Sequence, residues 1–180
     1  VKNLTERDFA RPMEIVLGDD KQRVLELTEV RALLEPWVAR QAALNRSDGE
    51  VRRINYYLEE MENDFEKGQI RYEIDFQFHT ELVAAAHNTI LLHLMSSIYQ
   101  WVSYSIRIHR EKVFIRKEDQ FIIFNHHLRI FKAIQDRDPD AAEAAMKEHL
   151  LYVVDEFKKW SSAHRDVPAG PEAPTQPKSD

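Results

Sequence analysis

Apolar residues recur at helical spacing along most of this chain, and no segment shows the strict alternation of a half-buried strand. The pattern predicts an all-α fold, an antiparallel bundle of about six helices. Pro36 lies inside the first helix, where it predicts a kink. The helices are predicted near residues 24–45, 48–67, 70–86, 89–113, 117–135 and 139–163.

Polar residues mark where several of these helices begin. Ser47 and Glu50 have the spacing of a capping box, in which each side chain bonds to the backbone of the other residue. Asn88 is the predicted cap of the fourth helix. Asp138 followed by Pro139 is typical of an N-cap and a first helical residue, so the last helix is predicted to start there.

Composition fits one domain. The chain has 180 residues, 43% of them hydrophobic, which is enough for one sizeable core and too little for two. Four glycines leave few points for tight turns, so long helices with short connections are favoured. We predict an irregular lead-in over residues 1–23, a helical domain over 24–164 and a disordered, proline-rich tail over 165–180.

Charge and cysteine content narrow the possible partners. The net charge of −6 argues against nucleic-acid binding by this chain unaided. No cysteine is present, which excludes thiolate metal sites and thiol nucleophiles. There is neither an apolar run of membrane-spanning length nor a signal-peptide pattern. These features predict a cytoplasmic protein without membrane contact.

An acid and a histidine occupy the inward stripe of the third helix. Asp75 and His79 are four residues apart, in line with Tyr72, Leu82 and Ala86. A carboxylate and an imidazole on a core-facing stripe are costly unless a partner satisfies both. Side chains at this spacing point the same way and are able to hold one ion.

Two later histidines have the same kind of inward position. His127 is flanked at helical steps by apolar residues, whereas its neighbour His126 has a mixed flank, so His127 is predicted to point further inward. His149 also lies on an apolar stripe. A single inward histidine is usually a satisfied core residue, but three with an aspartate favour a shared divalent metal, with Asp75, His79, His127 and His149 as ligands.

The ligand set leaves metal and geometry open. Histidine and aspartate suit Zn, Ni, Mn or Fe, and we take Zn as the first prediction. A tetrahedral ion with four protein ligands would be closed and structural. An octahedral ion would keep two positions for water or a small bidentate anion.

These residues carry a family likeness that covers residues 25–160. The chain resembles the C-terminal effector-sensing domain, or FCD domain, of the FadR branch of GntR-type transcription regulators. The matching segments are Glu29-Val30-Arg31-Ala32-Leu33-Leu34-Glu35-Pro36, Asp75-Phe76-Gln77-Phe78-His79, Ala86-His87-Asn88-Thr89-Ile90-Leu91, His127-Leu128-Arg129-Ile130-Phe131-Lys132-Ala133-Ile134, Asp138, and Ala144-Ala145-Met146-Lys147-Glu148-His149-Leu150.

The resemblance implies a metal at the bottom of a central pocket, held by Asp75, His79, His127 and His149. Many members sense a small carboxylate such as a hydroxy acid, keto acid or sugar acid. An acyl-CoA-sensing branch lacks these ligands, so this chain is not expected to sense acyl-CoA. The family's arginine at the position of Arg31 reaches the effector carboxylate, and Arg31 itself lies on the apolar stripe of the first helix.

A polar stripe on the fourth helix offers further effector contacts. From it we select Tyr104 and Arg107, because a long helix in so small a bundle cannot keep a whole face in water. A solvated helix face is the alternative interpretation.

The leading hypothesis is a sensor, not an enzyme, that works as a homodimer. Family members bind DNA through an N-terminal winged-helix domain, and the 23 residues before the first helix show no such pattern, so DNA contact is expected only through a domain absent from this chain. The first alternative is a mononuclear metalloenzyme that acts on a small carboxylate. Against it, Glu81 and Glu148 do not share the faces of their neighbouring histidines, so no general base accompanies the site. The second alternative is a purely structural metal.

Overall fold

The computed structural model describes residues 21–69, 71–109 and 116–163, and the side chains of residue 21 and of residues 103–109 lie outside that description. Within these ranges the chain forms six α-helices and no strand, which confirms the predicted all-α fold. The helices are α1 (Lys21–Asn45), α2 (Asp48–Glu66), α3 (Tyr72–Ala85), α4 (Thr89–His109), α5 (Lys117–Gln135) and α6 (Pro139–Ala163). None of these helices is long and apolar enough to cross a membrane.

The first and last helices form the most extensive packing contact of the bundle. Lys158 pairs with Glu29 at 3.1 Å, and Arg40 pairs with Glu143 at 3.3 Å, so α1 and α6 run antiparallel. α6 also packs on α5, α3 packs on α1, α2 and α4, and α2 packs on α5. Fully buried side chains from α2, α3, α5 and α6 meet in one core; the largest include Phe78, Ile54, Leu82, Ile130, Ile134, Met146 and Leu150.

The predicted helix caps are confirmed. Ser47 and Glu50 form a complete capping box, with the Glu50 amide 3.3 Å from Ser47 Oγ and the Ser47 amide 2.7 Å from Glu50 Oε2. Asn88 accepts a hydrogen bond from the Leu91 amide at 3.0 Å, and Asp138 accepts one from the Ala141 amide at 2.9 Å. Each cap satisfies a backbone donor that the first turn of a helix leaves unpaired.

Replacing Ser47 with alanine is expected to lower the free energy of unfolding by about 1 kcal/mol, because the capping bond to α2 is lost. Ser97→Ala is the matched control, since Ser97 is only partly buried within α4 and its hydroxyl donates back to the His93 carbonyl at 3.2 Å. Urea unfolding followed by circular dichroism measures both variants. Equal losses in the two would contradict the capping role.

Several predicted boundaries differ from the structure. α1 begins at Lys21, inside the predicted lead-in, and continues on both sides of Pro36. α4 is described to His109, so the end predicted at Val113 lies outside the described residues. The predicted tail, residues 165–180, also lies outside them, and its disorder stays a prediction.

The inward face of α4 is offset from the predicted one. Helical spacing in the sequence predicts Leu91, Leu94, Ile98 and Trp101 on its apolar side. In the structure Leu94 is 47% exposed, and the residues that face the core are Met95, Ile98, Tyr99 and Val102. The first half of α4 carries apolar residues on most sides, so periodicity alone does not fix its rotation.

Crossed arginine caps join the carboxyl ends of α1 and α5. Arg46, just after α1, donates to the carbonyl oxygen of Gln135 at 2.5 Å. Arg137, just after α5, donates to the carbonyl oxygens of Leu44 and Arg46 at 3.2 and 3.0 Å. Each guanidinium donates to carbonyl oxygens at the end of the other helix, where the backbone leaves them unpaired. The negative end of the helix dipole also favours a cation at this position.

Candidate metal and ligand site

Three histidines from three helices meet inside the bundle. His79 of α3, His127 of α5 and His149 of α6 are each at most 2% exposed. One ring nitrogen from each lies within 4.8 Å of the others, so the cluster could hold a metal ion. The structure therefore brings together the three histidines that the sequence singled out.

The spacing within the cluster fits ligands of one ion. His79 Nε2 and His127 Nε2 are 3.3 Å apart, and His127 Nε2 is 3.2 Å from Asp75 Oδ1. Neighbouring ligand atoms around an ion at about 2.1 Å are separated by about 3.0–3.4 Å, in octahedral or tetrahedral geometry. The distances from His127 to His79 and to Asp75 both fall within this range.

Asp75 lies at the edge of this group. Its side chain is 29% exposed, and its carboxylate approaches His127 at 3.2 Å. It is not among the residues whose ligand atoms lie mutually within 4.8 Å. Asp75 is thus less central than the sequence predicted, and its role as a metal ligand stays a prediction.

Burial keeps two of the histidines neutral. It lowers the pKa of His127 to about 3, an effect that the nearby Asp75 carboxylate offsets only in part. Burial also lowers the pKa of His149 well below its usual value, and the neighbouring His127 and His79 rings add to the shift. Nδ1 of His127 and Nδ1 of His149 have no hydrogen-bond partner, so these rings carry unsatisfied nitrogen atoms in a dry environment. Neutral imidazole is the form that binds metal.

Glu35 is a site residue that the sequence analysis missed. Its carboxylate is 1% exposed, with Oε1 at 2.6 Å from Arg31 Nε and Oε2 at 2.7 Å from His79 Nδ1. The second pair is close but not aligned as a good hydrogen bond. Burial by itself would raise the pKa of Glu35, but Arg31 and then His79 outweigh burial and hold the pKa below its usual range. The signal in the sequence was the i, i+4 spacing of Arg31 and Glu35 on a largely apolar helix.

The position of Arg31 on an apolar stripe leaves its guanidinium either extended to the surface or paired with an anion inside, and the structure places it in the interior. It is 5% exposed, and its guanidinium carbon lies 5.6 Å from the centre of the Tyr99 ring. Burial opposes the charged form of Arg31, yet the Glu35 carboxylate raises its pKa above the usual value, so it stays charged. Its Nη2 has no hydrogen-bond partner. A buried cation thus retains one free donor group beside the histidines.

Tyr99 of α4 is a second residue that the sequence analysis missed. It is 5% exposed, and its ring lies 6.3 Å from that of His79. Its hydroxyl lies near the Glu35 carboxylate without a hydrogen bond of good geometry. Burial raises the pKa of the phenol well above its usual value, so the hydroxyl keeps its proton. The predicted contacts Tyr104 and Arg107 belong to the same helix, but their side chains lie outside the described residues.

The neighbouring polar residues turn away from the cluster. His126 packs beside His149, with ring centres 5.8 Å apart, while its Nε2 lies 3.7 Å from the half-exposed Glu148. His127, as predicted, is the one of the two adjacent histidines that reaches the centre. Glu81 bonds to an arginine of α2 at 2.8 Å. Neither Glu81 nor Glu148 is placed to act as a base at the cluster.

Comparison with known proteins places this geometry in a family. Residues 26–152 match the FCD domain. The chain is 33% identical over 156 residues to the HTH-type transcriptional regulator LutR of Bacillus subtilis, covering 86% of this chain and 71% of that regulator. It is 24% identical over 156 residues to the putative L-lactate dehydrogenase operon regulatory protein of Escherichia coli, covering 87% of this chain and 60% of that protein. The solved structure of Streptococcus agalactiae GntR superposes with a TM-score of 0.65 at 28% identity, covering 80% of this chain and 64% of that one.

These matches define the class as the helical, effector-sensing regulatory domain of GntR-type transcription regulators. The chain belongs to the FCD domain family. The LutR and L-lactate dehydrogenase operon relatives are transcription regulators, and the chain spans about seven tenths of the first and three fifths of the second.

Proposed function

We propose that this domain senses a small organic acid at a divalent metal site and thereby controls the DNA affinity of the regulator to which it belongs. The observation that carries the proposal is a cluster of three buried histidines next to a buried, charged Arg31 with a free donor. A dry site with nitrogen ligands on one side and a guanidinium on the other suits an anion that a cation and an arginine bind together.

In this proposal His79, His127, His149 and Asp75 hold the metal. Zn²⁺ is the first candidate because neutral imidazole and carboxylate are among its usual ligands, and Ni²⁺, Mn²⁺ and Fe²⁺ are compatible with the same set. When bound, the ion supplies a Lewis-acid position for a carboxylate oxygen of the effector. The protein contributes a buried cluster that excludes competing water.

Arg31 and Tyr99 are the proposed effector contacts from the described residues. Arg31 Nη2 and the Tyr99 hydroxyl are buried polar groups without a hydrogen bond of good geometry, and an acid with a carboxylate and a hydroxyl would satisfy both. Tyr104 and Arg107 stay proposed contacts on the same helix. The relative named for the L-lactate dehydrogenase operon makes L-lactate the first acid to test.

The signal would pass through a shift between bundle arrangements in a homodimer. Relatives are described as HTH-type regulators and extend beyond the matched region, which supports DNA binding by a winged-helix domain outside these 180 residues. A dimer places two such domains on paired operator half-sites, so a change in the bundle changes their spacing.

Arg31→Lys is expected to weaken binding of L-lactate to the Zn²⁺-loaded domain about tenfold, because lysine keeps the charge but loses the planar fork of donors. Isothermal titration measures the dissociation constant for both proteins. Arg53→Lys is the matched control, since Arg53 is half exposed and pairs with Glu81 away from the cluster.

An unchanged affinity in Arg31→Lys would contradict the assigned contact. The same samples, followed by proton NMR over a day, test for turnover. A sensor returns L-lactate unaltered, whereas accumulation of a product would favour a metalloenzyme. If L-lactate does not bind, a panel of other small hydroxy, keto and sugar acids is titrated, and failure of all of them would overturn the proposed effector class.

A further inference from the structure

Glu35 lies between Arg31, the proposed effector contact, and His79, a proposed metal ligand. It is the only carboxylate among the described residues that contacts both Arg31 and a histidine of the cluster, and it does so from full burial. A buried carboxylate is costly to desolvate, so its presence here needs a reason beyond packing. Its Oε1 accepts a hydrogen bond from Arg31, and its Oε2 faces His79 Nδ1 at 2.7 Å without a well-aligned hydrogen bond.

We infer that Glu35 is a positioning residue that fixes the proton of His79 on Nδ1 and so directs the bare Nε2 toward the centre of the histidine cluster. This inference rests on the proposed metal site. Glu35 Oε2 is an acceptor 2.7 Å from His79 Nδ1, and a carboxylate there selects the ring form protonated on that nitrogen. His79 Nε2 then carries a lone pair that accepts from His127 Nε2 at 3.3 Å, and a metal would replace this hydrogen bond between the two rings.

The same carboxylate orients Arg31. Its Oε1 takes the Nε–H of the guanidinium at 2.6 Å, which fixes the plane of the group and leaves Nη2 unpartnered in the interior. One charged group on α1 therefore holds both the arginine proposed for the effector and the histidine proposed for the metal. Metal binding to His79 and effector binding to Arg31 both change the surroundings of Glu35, so the two affinities are linked through this residue.

Glu35→Gln tests the inference because an amide has only one acceptor oxygen, so it is able to accept from only one of the two partners. Arg31 only donates, so the amide oxygen has to face Arg31. The amide NH₂ then faces His79 Nδ1, which has to accept, and the ring proton moves to Nε2. In that form Nε2 has no lone pair for a metal.

We expect Glu35→Gln to weaken Zn²⁺ binding by about 10- to 100-fold in a chelator competition assay. Two-bond nitrogen–proton NMR correlations on metal-free protein report which ring nitrogen of His79 carries the proton. We expect the His79 proton on Nδ1 in the parent and on Nε2 in Glu35→Gln. Glu81→Gln is the matched control, because Glu81 lies two residues after His79 and its carboxylate pairs with Arg53. This variant should change neither the Zn²⁺ affinity nor the position of the His79 proton.

The inference would be overturned if the parent protein carried the His79 proton on Nε2. It would also be overturned if Glu35→Gln bound Zn²⁺ as tightly as the parent. If the variant does not fold, the spectrum of the metal-free parent alone decides it. A parent that binds none of Zn²⁺, Ni²⁺ and Mn²⁺ would remove the proposed metal function. The tautomer in that same sample would still show whether Glu35 orients His79, so the two failures are distinguishable.

Discussion

Loading the metal-free protein with Zn²⁺ at about a thousand times its dissociation constant is expected to raise the free energy of unfolding by about 4 kcal/mol. The gain arises because the three histidine nitrogens lie within 4.8 Å of one another only when the helices are packed, so the ion binds the folded chain in preference to the unfolded one. Urea unfolding of chelator-treated protein, with and without the metal, measures the difference.

His149→Gln should remove most of this gain, because one of the three histidine ligands is lost from the centre of the cluster. His93→Gln is the matched control, since His93 is exposed on α4, and it should keep the full gain. Metal content per chain, measured by plasma mass spectrometry, should be about one equivalent in the parent and the control. A His149→Gln variant that is stabilised as much as the parent would contradict the assigned ligand.

Lowering the pH from 7.5 to 5.5 is expected to cost the metal-free protein about 3 kcal/mol of stability. Burial depresses the pKa of His127 to about 3 and that of His149 well below its usual value of 6.5. In this pH range the unfolded chain binds protons that the folded chain does not bind, so the free energy of unfolding falls as the pH falls. Each histidine contributes about 1.4 kcal/mol over these two pH units.

A histidine whose pKa is lower in the folded chain than in the unfolded chain binds more protons when the chain unfolds. The free energy of unfolding is therefore highest above the unfolded pKa and decreases as the pH falls below it. Burial lowers the pKa of His126 too, which acts in the same direction. His127→Gln should reduce the slope of stability against pH by about half between pH 7.5 and 5.5. A flat stability profile of the metal-free parent over this range would show that these histidines are not buried in neutral form.

Helix periodicity and capping chemistry were sufficient to predict the architecture. Ser47, Asn88 and Asp138 have side chains suited to N-caps, and each one caps the helix that it was expected to begin. Rotation of a helix is harder to predict where apolar residues surround it. Leu94 was placed inward for that reason, and the packing of α4 against α3 selects Met95 and Tyr99 instead.

The site was predictable where polar residues interrupt apolar faces. His127 and His149 were found because their helical neighbours are apolar, and the structure buries both. Glu35 was missed because a charged pair at i, i+4 on a helix is usually solvent-exposed. Tyr99 was missed because an aromatic residue at helical spacing fits an ordinary core position equally well. Only tertiary packing shows that these two residues adjoin the histidines.

The histidine cluster also has a consequence for how the chain folds. His79 and His127 are 48 residues apart, and the third histidine comes from the last helix, so the cluster depends on contacts of long sequence separation. Closing such loops is entropically costly, and contacts of this kind form after the local helices in the folding of small domains. We expect these ligands to come together late in folding, so a metal added during refolding should slow unfolding more than it speeds folding. Metal capture would then mark the chains that have completed the bundle.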